Sequence, residues 1–313
     1  MIPMIDYKEL FETLSEQMAG NQKKVRVDSC IEVFFGYSFN GNLRLSFLST
    51  IVPPIIESTS ILNVVQGRET PDTYWTSFDL LNANLKDAYF SFCENLIDSI
   101  IGFSDEALAL SVLKRRFLTW KKLFQKTSER VVSKETLMGL FGELLARKDI
   151  ITPKYGVNTA IRAWEGPNLQ SKDFTVNDTW YEVKTVGANT DSIQIASVAQ
   201  LSSDKDGHLV VICVEAVSQE FNGNASSILD LIKDILSFVF DESIENVLVR
   251  KIQSFGIDVF GKETAIKFDV KSITTYTVAD GFPRITEKNV PFTEITDVHY
   301  IISRAAISRF SEE

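Results

Sequence analysis

The stretch Trp180-Tyr181-Glu182-Val183-Lys184-Thr185-Val186 constrains the fold more than any other. It reads as a strand, and side chains alternate faces along a strand. Glu182 and Lys184 therefore point one way, Tyr181 and Val183 the other. A carboxylate and an ammonium then share one face. Nine residues before Glu182 stands Asp173, in Lys172-Asp173-Phe174. The intervening Asn177-Asp178-Thr179 reads as a turn. Residues 173–176 and 180–186 then form a hairpin, and a tight turn brings Asp173 beside Glu182. Two carboxylates with a backbone carbonyl or water make an oxygen-ligand site suited to Mg²⁺. In the plainer reading, Glu182 and Lys184 are an ion pair on a solvated sheet face.

Asp173, eight residues, then Glu182-Val183-Lys184 resembles the signature of the PD-(D/E)XK nuclease superfamily, whose restriction and repair enzymes hydrolyse DNA with Mg²⁺. The resemblance covers 135–215. A helix with a central Glu precedes the signature, hydrophobic strands carry it, and a short helix and a buried strand follow. Lys172 stands where the signature has proline; the nearest proline is Pro167, in Trp164-Glu165-Gly166-Pro167. The longer pattern, Trp-x-Gly-Pro, Asp-Phe and Glu-Val-Lys, also resembles a bacterial branch associated with phage-defence gene sets.

That resemblance implies an α/β (α+β) fold, a restriction-endonuclease-like core with a mixed central sheet flanked by helices; the residue pattern ahead of it reads as a smaller α+β domain. It implies a Mg²⁺-dependent endonuclease cutting DNA in restriction or phage defence, with Mn²⁺ able to substitute. In such a site Asp173 and Glu182 hold the metal, which polarises a phosphate oxygen and lowers the pKa of water. Lys184 positions or deprotonates the water, or stabilises the charged transition state. Glu143 completes the shell. Glutamines after the Glu-x-Lys strand recur in parts of the superfamily, which makes Gln200 a supporting residue beside Gln194. The alternative is a non-catalytic subunit that holds DNA or a partner protein with the same fold. Other defence proteins and a homodimer are the further partnerships this leaves open.

The net charge of −10 does not suit DNA binding in general, but it is uneven. Between Ser111 and Lys134 stand Lys114, Arg115, Arg116, Lys121, Lys122, Lys126, Arg130 and Lys134, against the single acid Glu129. A local basic helix on an acidic body can hold phosphates, and Lys121, Lys122 and Lys126 are the expected DNA contacts. A solvated helix face is the other reading. Cys30, Cys93 and Cys213 are few, odd in number and set in apolar contexts, as expected for free thiols in a reducing cytoplasm. Only His208 and His299 are present, which argues against a His/Cys zinc site. No membrane span or signal peptide is expected.

In chain order, a helix is expected at 6–18. Strands follow at 30–39 and 43–51, joined through Asn40-Gly41-Asn42, and at 60–65 and 73–78. Phe34, Phe35, Tyr37, Phe39 and Phe47 read as core more than as a base-stacking platform. Helices at 84–101 and 105–125, the second capped by Ser104, close an N-terminal α+β domain, 1–130. The nuclease-like domain, 131–313, opens with a helix at 133–148 capped by Ser133. At 100° per residue Glu143 lies about 60° from Leu140, on the rim of the apolar stripe; a surface pair with Arg147 is its alternative role. A short strand at 162–164, a helix at 191–201, a buried strand at 208–217, helices at 225–240 and 243–255, and strands at 265–278 and 296–303 complete the expectation.

Overall fold

A computed structural model describes Tyr7, Thr13 and residues 19–124, 132–166, 172–218, 221, 223–259, 261, 263–290 and 294–312. The expected helix at 6–18 lies, apart from Tyr7 and Thr13, outside the described residues. The chain divides into two compact units, 1–125 with 259–261, and 126–258 with 262–313. Among the described residues no helix is long and apolar enough to cross a membrane.

The first unit is built on β1 (Gln22–Val25), β2 (Glu32–Tyr37), β3 (Leu43–Ser49), β4 (Leu62–Thr70) and β5 (Thr73–Leu80). They form one antiparallel sheet in the order β1-β2-β3-β5-β4. The β2–β3 turn closes as expected. Gly41 takes a φ of 77°, where a Cβ is disfavoured, and Ser38 N–H donates to Asn42 O at 2.8 Å. Two helices, α1 (Lys86–Asp98) and α2 (Glu106–Leu123), pack on one face. Their Phe92 and Phe117 meet Phe78 of β5 at 5.7 and 5.2 Å between ring centroids. Phe35 and Phe47 belong to this core, whereas Phe39 is exposed. Phe34 meets Trp75 edge-on instead. The cap of α2 is Asp105, not Ser104: the carboxylate of Asp105 accepts from Leu108 N–H at 3.0 Å.

In the second unit, α3 (Lys134–Ala146) starts at Ser133, whose hydroxyl accepts from Thr136 N–H at 3.2 Å. It runs on through a wide turn, Arg147–Ile151, into α4 (Thr152–Tyr155) and then α5 (Val157–Ala163). The short strand expected at 162–164 is therefore corrected. Arg162 and Ala163 finish a helix, and only Trp164 makes a β-bridge, to Phe174. The remaining elements are β6 (Phe174–Val176), β7 (Thr179–Gly187), β8 (Ser192–Ile195), β9 (Gly207–Val217), β10 (Ala225–Ser227), α6 (Ile228–Ser237), α7 (Glu242–Ser254), β11 (Lys267–Val278) and β12 (Tyr300–Ser303).

The main sheet has the order β10-β11-β9-β7-β6. β7 and β9 are parallel and the other pairs antiparallel, so the sheet is mixed. β8 and β12 form a separate antiparallel ribbon. The helix expected at 191–201 is thus also corrected. Ile193 and Ile195 are buried while Gln194 is exposed, a period of two, and only a 3₁₀ turn, Val198–Gln200, follows. Those isoleucines and Ile302 of β12 pack with Trp180, Leu209, Val211 and Tyr276 of the main sheet. The ribbon accordingly covers one face of that sheet.

Helix α3 seats on β7 through Gly142. A Cβ there would lie 1.8 Å from Thr185 Oγ1, so only glycine allows this approach. Glycine inside a helix costs about 1 kcal/mol relative to alanine, yet Gly142→Ala is expected to destabilise the protein, by roughly 1–3 kcal/mol, because overpacking outweighs propensity. Thr185→Ala in the same chain should recover most of that loss. Urea unfolding of the wild type and the two variants checks this, and a Gly142→Ala protein at least as stable as wild type would mean that α3 does not sit on Thr185.

Candidate active site

The β6–β7 hairpin turns over two residues. Val176 faces Thr179, Thr175 faces Trp180 and Phe174 faces Tyr181. Asn177 takes the left-handed conformation, φ 51°, which asparagine tolerates better than most residues. β6 begins only at Phe174, so the next amide available on β7, that of Val183, has no strand partner on that side. The side chain of Asp173 takes its place: Val183 N–H donates to Asp173 Oδ2 at 2.7 Å. The main chain of Asp173 is held as well, since Glu165 N–H donates to its carbonyl at 2.8 Å. The carboxylate is thereby fixed beside the strand that carries Glu182 and Lys184.

Glu182 is 2% exposed, and Lys184 Nζ lies 2.9 Å from its Oε1. Burial opposes the charged form of a carboxylate, and a neighbouring like charge adds to the effect. Both act on Glu182: burial first, then Asp173, push its pKa up to about 8 in spite of Lys184. Asp173 is also raised by burial, with Val183 N–H and Lys184 acting the other way.

Glu143, from α3, joins this group. Its pKa stands well above the usual value, through burial and then the charge of Asp173. Its Oε2 accepts from Trp164 Nε1 at 2.6 Å, which favours the ionised form. The alternative partner, Arg147, is not engaged: it is buried, and its Nε and Nη1 have no hydrogen-bond partner among the described residues. Sequence reasoning brought Glu143 to the rim of its helix but missed the indole that meets it. The Trp-Glu-Gly-Pro stretch was the available signal.

Lys172 was also missed. It occupies the proline position of the signature, and its Nζ donates to the carbonyls of Ala199, Gln200 and Ser202 at 2.6, 2.7 and 3.1 Å. The ammonium sits 3.9 Å from the Trp180 ring centroid, and burial lowers its pKa to about 8. The side chain of Gln200 closes its own turn by accepting from Ala196 N–H at 2.8 Å, and Gln194 lies on β8.

On α2, Arg116 is 1% exposed and belongs to the core. Lys121 Nζ is 3.3 Å from Glu57 Oε2, Lys122 is exposed, and Lys126 lies outside the described residues.

A mixed sheet carrying Asp173 and the Glu182-Val183-Lys184 strand, with a helical Glu above it, is the arrangement of a PD-(D/E)XK nuclease-like fold. A family model described as "Putative PD-(D/E)XK family member, (DUF4420)" matches residues 7–304. The chain belongs to this family. No curated protein and no solved structure matches it.

The donor chemistry fits a hard divalent cation. Asp173 and Glu182 are buried acceptors, and burial raises both pKa values although Lys184 and Lys172 act the other way. Among the described residues, however, no group of three or more His, Cys, Asp or Glu side chains is drawn together as a metal cage. The fit is therefore to an ion held by one or two carboxylates, with waters and substrate phosphate filling the other positions, as Mg²⁺ commonly is.

The raised pKa of Glu182 has a stability consequence. Between 4.5 and about 8 the folded chain binds more protons at this site than the unfolded chain. Stability from this group is full below 4.5 and is lost as pH rises through about 8. At about 1.4 kcal/mol per pH unit the upper bound is roughly 5 kcal/mol. Metal-free protein should thus unfold in less urea at pH 8 than at pH 5.5, and Glu182→Gln should flatten that slope. Equal slopes in the two proteins would show that Glu182 ionises normally.

Proposed function

We propose that this chain is a Mg²⁺-dependent deoxyribonuclease, cutting DNA phosphodiester bonds in restriction or phage defence. The observation that carries the reading is the Glu182–Lys184 pair on one face of β7 beside an Asp173 locked to Val183 N–H. Hydrolysis of a phosphodiester needs a water held in line with the leaving oxygen and relief of the charge that builds on the phosphate. Asp173 and Glu182 would hold the cation, and Glu143 would orient a water for it. The chemistry that Mg²⁺ supplies when bound is charge neutralisation at phosphate and a lowered pKa for water. The ammonium of Lys184 is partly exposed while the carboxylate beside it is buried, so the lysine reaches the substrate side. There it positions the water or donates to a phosphate oxygen.

In this reading Lys121 and Lys122 contact DNA phosphates, with Lys121 exchanging Glu57 for phosphate, and Lys126 extends the series. Such contacts position the duplex without reading its sequence.

A second reading, a non-catalytic subunit holding DNA or a partner protein, is favoured by one observation: the absence of a three-ligand cage among the described residues. Calorimetry with Mn²⁺ separates the two. Under the nuclease reading Asp173→Asn and Glu182→Gln each weaken Mn²⁺ binding by about ten-fold or more, because a neutral amide is a poorer ligand for a hard cation. Lys184→Ala, with its fold intact by circular dichroism, should lose cleavage by at least about 100-fold in Mg²⁺. Undiminished cleavage by that variant would remove Lys184 from the chemistry, and Mn²⁺ affinity unchanged in both carboxylate variants would favour the second reading.

A further inference from the structure

Trp164 is wholly buried and stacks on Phe255, with ring centroids 5.7 Å apart and planes 23° from parallel. An indole has one donor and no acceptor, so its 2.6 Å contact with Glu143 has a single sense: Nε1–H donates and the carboxylate accepts. The backbone of the same segment is tied to the hairpin. Trp164 bridges Phe174, and Glu165 N–H donates to the carbonyl of Asp173 at 2.8 Å. Residues 164–165 thus hold Glu143 by a side chain and Asp173 by the main chain. Burial and the charges of Asp173 and Glu182 oppose ionisation of Glu143, and the indole bond favours it. A long Glu side chain also has rotamers that would carry it away.

We propose that Trp164 is a positioning residue, which acts through Glu143 by fixing the direction of that carboxylate from the same segment that holds Asp173. The effect on cleavage rests on the nuclease reading; the contact itself does not.

Two arms test this. In protein labelled with ¹⁵N at the indoles, the Trp164 Nε1–H resonance should lie downfield and move upfield in Glu143→Ala, while those of Trp75, Trp120 and Trp180 stay in place. A Trp164 resonance indifferent to Glu143→Ala overturns the proposal, whether or not the protein cuts DNA. In the second arm, Trp164→Phe keeps a ring on Phe255 and loses the donor. It should lower kcat for DNA cleavage, and weaken Mn²⁺ binding by calorimetry, roughly ten-fold each, the scale of lost outer-shell partners of a metal site, with KM little changed. Glu143→Ala should cost at least as much, and the double variant no more than Glu143→Ala alone, because residues acting through one contact are not additive. Additive losses would overturn the proposal. A wild-type protein inert on DNA would count against the nuclease reading instead, and the indole resonance and Mn²⁺ affinity would still decide the role of Trp164.

Discussion

The hydrogen bond from Val183 N–H to Asp173 is the contact on which the site depends. A strand beyond the end of its partner leaves amides unsatisfied, and a buried, unpaired amide costs free energy. A short β6 therefore creates a vacancy in the ladder, and a carboxylate fills it. The bond to a charged acceptor is stronger than the strand pairing it replaces. It also fixes the carboxylate of Asp173 beside the strand that carries Glu182.

Burying these carboxylates has a cost, which appears in the raised pKa values of Glu182, Asp173 and Glu143; burial acts on all three, and the charge of Asp173 adds to it at Glu182 and Glu143. Lys184 and Lys172 offset only part of it at Glu182 and Asp173. Perturbed carboxylates gathered in this way commonly mark functional sites. The scaffold withstands the repulsion because every element carrying a carboxylate is held elsewhere. Gly142 lets α3 settle against Thr185. Trp164 holds Glu143 from the side. Lys172 ties the residue before Asp173 to three carbonyls of the 199–202 segment. That lysine stands where proline stands in the superfamily signature. Both restrict the chain ahead of the aspartate, proline by its ring and lysine by its hydrogen bonds.

Much of this was legible in the residues themselves. The alternation along 180–186 determined that Glu182 and Lys184 share a face, since the period of a strand is two whatever surrounds it. Asn177-Asp178 determined a tight hairpin, because asparagine accepts a positive φ, and the hairpin placed Asp173. These are local properties of the chain, set by backbone sterics. Tertiary structure decided the rest. Ser192–Ile195 became a strand because its partner, Tyr300–Ser303, lies far along the chain and offers both a ladder and an apolar face. Nothing in the local sequence announces such a partner. Burial of Arg116 within an otherwise basic helix face and capture of Glu143 by Trp164 likewise depend on which surfaces meet. Spacing alone reports the direction of a side chain on its own element, not the group that will face it.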